Sequence, residues 1–162
     1  MNKAKKKIII SKEDAVFWMD KTGAWCNEHG KFEHPGIIKY FNASIKKDKN
    51  GYFVQQKTEN SEEKVYFSYE DTAIFVVGIR FENDITLILN NGDSIILDPA
   101  KLYTAEDGLF AKTADHLIKF NTGTLLKIST YLNEVKKGDL FFEWKENSYQ
   151  VQKFQINSGT HF

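Results

Sequence analysis

Cysteine is almost missing from this chain of 162 residues: Cys26 stands alone, so no disulfide can form within it and a fold stapled by cross-links is excluded. A reducing, cytoplasmic setting is the expectation that fits. Proline is nearly as scarce. Only Pro35 and Pro99 occur, and no proline-rich, serine-rich or low-complexity stretch separates the halves, which are expected to pack as one unit. An excess of either charge is lacking too. With 22 Lys and Arg against 22 Asp and Glu, the strongest argument for a general nucleic-acid binder disappears, although a local basic patch stays open. No window approaches the ~20 apolar residues of a membrane span. Ile8-Ile9-Ile10 is too short for the core of a signal peptide, and Ser11-Lys12-Glu13 interrupts it. No membrane association is expected.

What the chain does have is apolar and aromatic mass: 41% hydrophobic and 14% aromatic residues are ample for a packed interior, in one domain or two small fused ones. It also has a pattern written twice. Gly23-Ala24-Trp25 leads through Gly30-Lys31-Phe32 to an apolar helix around Ile37, Ile38, Phe41 and Ile45, then to Lys46-Lys47-Asp48-Lys49-Asn50 and Gly51-Tyr52-Phe53-Val54. Gly108-Leu109-Phe110 leads through Leu117-Ile118-Lys119-Phe120 to Leu125, Leu126, Ile128 and Leu132, then to Lys136-Lys137 and Gly138-Asp139-Leu140-Phe141-Phe142. The unit is strand, strand, helix, strand. A duplicated unit places its functional surface at the seam between the copies, so the seam near Asp71 to Ala73 is the first place to look.

Local signals fill in the remainder. Residues 1–10, with Lys3, Lys5, Lys6 and Lys7, read as a basic arm in which Ile8 to Ile10 could add an edge strand. Ser11 and Asp14 have capping-box spacing ahead of Ala15, Val16, Phe17 and Met19, which predicts a short helix from about 12 to 20. Pro35 suits the first turn of the next helix, whose outward face is Lys39, Asn42, Lys46 and Lys47. Period-two alternation then takes over, with Val65, Phe67 and Tyr69 on one strand and Phe75, Val77 and Ile79 on the next. Asn91-Gly92 between Ile85–Leu89 and Ser94–Leu97 predicts a type I′ hairpin.

In the second copy strands are expected near 102–104, 108–112 and 116–120, then a helix capped by Asn121 or Thr122 and running to about 134. A last hairpin, Leu140 to Lys145 and Tyr149 to Ile156, turns at Glu146-Asn147-Ser148. The division this suggests is a basic arm (1–10), an N-terminal α+β subdomain (11–71), a C-terminal subdomain with a closing helix (72–135), and a hairpin and tail (136–162). The class is α+β with mostly antiparallel sheet.

Taken in order, Gly23-Ala24-Trp25, Gly30-Lys31-Phe32, Ile37 to Phe41 with Ser44-Ile45, Gly51 to Val54, Glu63 to Asp71, and Leu87 followed by Asn91-Gly92-Asp93 resemble the bacterial domain of unknown function numbered 1285. The resemblance covers roughly residues 20–134. Two features depart from it: the Thr-Pro expected before the Glu-Lys-Val strand is replaced by the polar stretch Lys57 to Glu62, and the proline after the Glu-Asp pair by Ala73. The resemblance implies a duplicated α+β core whose C-terminal half is similar to a pleckstrin-homology-type barrel closed by a helix. It also implies a binding site where the halves meet, with a regulatory or signalling role, and carries no established activity.

Few residues invite chemistry. Cys26, His29 and His34 have ligand character, but no fourth ligand is evident and the stretch reads as a solvated turn, so no metal and no cofactor are expected. Asp48-Lys49-Asn50-Gly51 opens like a calcium loop, yet Tyr52, Val54 and Gln56 stand where ligands belong, which makes it a turn. Glu70 and Asp71 are adjacent at a strand end and would point to opposite faces, suiting them to orient a ligand rather than share a catalytic atom. No phosphate loop, nucleophile elbow or zinc-protease motif occurs, so an enzyme is a remote reading.

The leading expectation is a non-enzymatic regulatory module that takes a small molecule or a protein partner between the copies, lined by Trp25, Tyr52, Tyr69, Glu70 and Asp71. The second is a nucleic-acid-associated regulator using a basic surface at Lys39, Lys46 and Lys47.

Overall fold

The basic arm supplies an edge strand of the first sheet. In the computed structural model, which describes residues 5–154 with the side chain of Lys137 excepted, β1 (Lys6–Ile10) runs parallel to β7 (Ser61–Tyr66), bringing Lys7 beside Glu62 and Ile10 beside Val65. Lys3 and the tail from Gln155, with the end of the expected last strand, lie outside the described residues. β5 (Ile45–Asp48) and β6 (Gly51–Lys57) complete a sheet of order β1-β7-β6-β5. A smaller meander, β2 (Phe17–Met19), β3 (Trp25–Asn27) and β4 (Gly30–Lys31), hangs on the chain leaving β7, with the Met19 N–H donating to the Ser68 carbonyl at 2.9 Å.

The helix expected over 12–20 is not there. Ser11 and Asp14 close a turn, Asp14 N–H to Ser11 carbonyl at 3.0 Å, and the apolar run becomes β2. Met19 is buried, Phe17 half-buried and Trp18 exposed, an alternation that suits a strand paired with β3.

Helix α1 (Pro35–Ala43) is capped by His34, as the proline suggests, but none of its residues is fully buried and Ile37 is exposed. Ile45, read as the end of its apolar stripe, is instead the buried first residue of β5. Lys46 and Lys47 leave the helix with it and become consecutive strand residues, which point to opposite faces.

The chain divides into two compact units, one ending at Ala73 and the other beginning at Ile74. In the second, β8 (Ile74–Phe81), β9 (Ile85–Leu89), β10 (Ser94–Ile96), β11 (Leu102–Ala105), β12 (Gly108–Lys112), β13 (Leu117–Phe120) and β17 (Gln152–Lys153) form one sheet of order β10-β9-β8-β13-β12-β11-β17. β14 (Leu132–Glu134), β15 (Leu140–Trp144) and β16 (Asn147–Gln150) form another. Apart from the parallel pairs β1–β7, β8–β13 and β11–β17, the described ladders are antiparallel. Helix α2 (Thr122–Ile128) is fastened to β8 by the Thr124 hydroxyl, which donates to the Val76 carbonyl at 3.0 Å. It stops short of the expected 134: Leu132 begins β14, as Ile45 begins β5. The repeated unit is thus hairpin, capped helix, hairpin, as β3-β4-α1-β5-β6 and as β12-β13-α2-β14-β15.

The seven-stranded sheet has free edges at β10 and β17, so the expected closed barrel is not formed among the described residues. It cannot be flat either. β10 and β11 stand five strand positions apart, ~24 Å across a flat sheet. Ile96 and Leu102 are joined by only residues 97–101, which span at most ~22 Å fully extended. Pro99–Lys101 is wound into a 3₁₀ turn, which shortens that reach. The sheet must therefore curl, and the bulge at Val77 in β8, facing β9, adds local bend.

Two hairpin turns differ from expectation. Gly92 N–H donates to the Leu89 carbonyl and Leu89 N–H to Asp93, and only Gly92 (φ 95°) has positive φ, which is a three-residue loop with a glycine bulge rather than type I′. The type I′ turn lies at Lys145 (φ 47°) and Glu146 (φ 67°), between paired Trp144 and Asn147. Both positions are strained for residues with a Cβ. Glu146→Gly is expected to raise stability by about 1 kcal/mol and Glu146→Val to lower it, as read from urea unfolding midpoints.

Candidate functional site

Trp25 is at the centre of the first unit's core, not on a ligand surface. It is 1% exposed, and edge-to-face contacts join it to Phe17, Phe41 and Phe67, the last at 4.8 Å between ring centroids. Its indole N–H donates to Asn42 Oδ1 at 2.7 Å, so the one polar atom of the ring is satisfied from α1. Phe67 continues the contact to Tyr69 (5.9 Å), and Tyr69 to Tyr52 (5.2 Å). Three of the five expected site residues are therefore linked through Phe67 into one aromatic row.

The tyrosines carry the polar chemistry of that row. Tyr52 is 2% exposed, and burial pushes its phenol up to about 12 despite a hydrogen bond from Thr72. Tyr69 is half-buried and also raised by burial, while the backbone N–H of Tyr52 hydrogen-bonds its phenol. A Cβ at Gly51 would lie 3.3 Å from Tyr69 Oη, and φ there is +118°, so glycine is required on both counts. Glu70 is exposed and Asp71 half-buried, on a bend that follows β7 rather than within a strand. The opposite-faces argument therefore does not apply to them.

The basic candidates separate. Lys39 is exposed on α1, Lys46 is exposed on β5, and Lys47 lies with Nζ 5.4 Å from the Tyr52 ring centroid. A charged group that the sequence places in a turn sits nearby: Asp48 accepts from Tyr66 Oη (2.5 Å) and from the Asn50 N–H, and Lys64 Nζ is 3.5 Å away. Burial pulls the Asp48 carboxyl up, but these three partners together hold it below the usual range. Asp48 thus locks the β5–β6 turn to β7 and is not a calcium ligand in waiting.

Cys26, His29 and His34 have separate tasks. Burial, then the charge of Asp20, pushes the Cys26 thiol up. His34 Nδ1 accepts from the Gly36 and Ile37 N–H groups at 3.1 and 3.3 Å, capping α1. His29 is exposed beside Glu28. Among the described residues no cluster of three His, Cys, Asp or Glu is arranged to hold a metal. Also among them, no helix is long and apolar enough to cross a membrane.

The second unit holds a feature that no motif marks: a half-open cleft of about 530 Å³ between the β10 arm and the β11–β12 arm of the curled sheet. Leu97 and Ala111 form its buried floor, Ile95 and Tyr103 its sides, and Lys101 and Lys112 stand exposed at its rim. Strands remote in sheet order meet here only because the sheet curls, which local periodicity does not encode. A buried lysine went unnoticed for a similar reason. Lys119 is 7% exposed within the apolar run of β13, with Nζ 3.5 Å from Asp107 Oδ2 and 5.5 Å from the Phe110 ring centroid.

The Tyr52 phenol gives a signed pH dependence. An unfolded tyrosine ionises near pH 10 and the folded one near 12, so its contribution to stability is complete below 10 and lost between 10 and 12. Tyr52→Phe is expected to cost about 1 kcal/mol at pH 8 through the lost hydrogen bond. It should also unfold less steeply with rising pH than the parent from pH 10 to 12. Parallel pH dependences in urea titrations would contradict this.

Comparison with known proteins places the fold. No family model matches the chain, and no curated protein matches it. Two solved structures do. A DUF1285 family protein from Silicibacter pomeroyi DSS-3 superposes with a TM-score of 0.61 at 11% identity, over 92% of this chain and 84% of that one. A DUF1285 family protein from Shewanella baltica OS155 gives 0.52 at 14% identity, over 73% of this chain and 93% of that one. The likeness at these identities is one of fold: the chain is built like the structures of DUF1285 family proteins, as its sequence resemblance implies.

Proposed function

We propose that this protein is a non-enzymatic binding and regulatory module whose ligand, a small molecule, occupies the cleft of the second unit. The observation that carries the reading is the cleft itself: a concavity of about 530 Å³ with an apolar floor at Leu97 and Ala111 and a few polar groups at its rim. That volume is within the range of small-molecule sites. In this reading the C-terminal unit works as an unclosed counterpart of the pleckstrin-homology-type barrel, with the ligand lying between two arms of the curled sheet. A ligand touching both arms stabilises the curled form by mass action, which is the simplest route from binding to regulation. A protein partner inserting an apolar side chain would use the same cleft.

The remaining expectations fare differently. The aromatic row from Trp25 to Tyr52 supports the fold of the first unit, and the raised Tyr52 phenol stays protonated at neutral pH, where it has no use as a base. A nucleic-acid surface at Lys39, Lys46 and Lys47 loses support, because Lys46 and Lys47 point to opposite faces of β5.

Ala114→Trp tests the cleft, since Ala114 lines it and is exposed, so a larger side chain fills the space without entering the core. In a fragment screen read by amide chemical shifts, hits should cluster at Leu97, Ala111 and Thr113 in the parent. They should vanish in Ala114→Trp, with the melting temperature within a few degrees. Hits that avoid these amides would overturn the assignment.

A further inference from the structure

We infer that the cleft receives an extended peptide segment of a partner protein, which adds a strand to the free edge of β10 and turns one apolar side chain onto Leu97 and Ala111; this rests on the cleft reading above, in the form where a partner inserts such a side chain. The lining shows that an edge of β10, not a face, borders the space. Ile95, Ile96 and Leu97 all line it, yet consecutive residues of an extended chain point to opposite faces. Ile95 lies opposite Leu87 and Leu97 is bonded to Ile85, on the buried side of the sheet, whereas Ile96 is 64% exposed on the other. A cavity that touches both sides of a strand runs along its backbone.

The register of β10 leaves that backbone open. The Leu97 N–H donates to the Ile85 carbonyl at 2.8 Å and the Asp93 carbonyl accepts from the Leu89 N–H at 2.9 Å, so residues 93, 95 and 97 turn their main chain toward β9. Ser94 and Ile96, between them, turn theirs away. β10 ends its sheet, and among the described residues neither Ser94 nor Ile96 has a further backbone partner. A small apolar molecule covers the floor and leaves these N–H and C=O groups to water. An extended main chain pairs with them and, because its side chains alternate, sends the one opposite Ile95 toward the floor. A second copy offers the same edge, but β10 has only three residues, and a ladder that short by itself buries far less than the roughly 1,200 Å² of a stable interface. A peptide needs no longer edge than this.

The probe is the peptide acetyl-Thr-Thr-Leu-Thr-Thr-amide, titrated into the full chain and followed by amide shifts and hydrogen exchange. Binding is expected to protect the Ser94 and Ile96 amides and to shift those of Leu97 and Ala111, and serine in place of the peptide's leucine to weaken it about tenfold. Methylated peptide nitrogens separate strand addition from plain apolar contact. In antiparallel pairing the second and fourth nitrogens face β10 and the third faces away, so methylating the first pair should cost about tenfold and methylating the third almost nothing; the reverse order marks a parallel strand. Ile96→Pro removes one outward donor at an edge, where proline is tolerated, and should weaken the peptide several-fold while apolar fragments still shift Leu97 and Ala111. Equal affinity for every methylated form overturns strand addition and leaves the cleft reading standing, as does a silent peptide where fragments still bind. Silence of peptide and fragments alike overturns both. A concentration-dependent dimer that protects Ser94 and Ile96 without peptide overturns the peptide in favour of a second copy.

Discussion

A short tether shapes the second unit. Residues 97–101 must carry the chain from β10, at one edge of a seven-stranded sheet, to β11, next to the other edge, and they are too few to cross a flat sheet of that width. Curling is the solution left to the chain, and the rest follows from it. The sheet rolls up, the β10 arm faces the β11–β12 arm, and a space opens between them that neither hairpin would possess alone. Pro99 and the Asp98 cap hold the tether compact, so the constraint is built into the same few residues that line the cleft.

This dependence explains what could be read from the chain and what could not. Alternation shows β9, and the repeated pattern shows β12 and β13, which fall where it puts them although neither alternates in burial. The errors have physical causes. Ile45 and Leu132 continue a helical stripe by spacing, but each is the first residue of a strand that begins almost as soon as the helical turns stop. Phe17, Trp18 and Met19 have the composition of either element, and pairing with Trp25 to Asn27 decides for strand. Asn91-Gly92 is a hairpin in both descriptions, yet its loop takes a third residue, while the tight turn falls on Lys145-Glu146, a pair without any of the usual turn residues.

The candidate residues tell the same story at the level of side chains. Trp25, Tyr52 and Tyr69 were singled out as aromatic residues able to line a pocket, and they do form one continuous row, but its middle member is Phe67 and its end is sealed at Trp25. Burial separates a pocket wall from a core, and burial depends on neighbours from other elements. His34 shows how a residue with ligand character can serve the local backbone, since its Nδ1 completes the start of α1. The cleft residues had no such conspicuous identity: Leu97, Lys101, Ala111 and Lys112 are ordinary side chains made into a group by topology.

The abrupt passage from helix to strand in both repeats has a further consequence. Only Ser44 separates α1 from β5, and one 3₁₀ turn separates α2 from β14. There is no slack at either joint, so helix and strand are geared to each other. Side chains on a strand alternate faces with every residue, and gaining or losing a single residue at such a joint would exchange the inward and outward faces of the hairpin that follows. The turns beyond the strands can change length without that exchange, and the two joints act as fixed phase markers from which each hairpin takes its inside and outside.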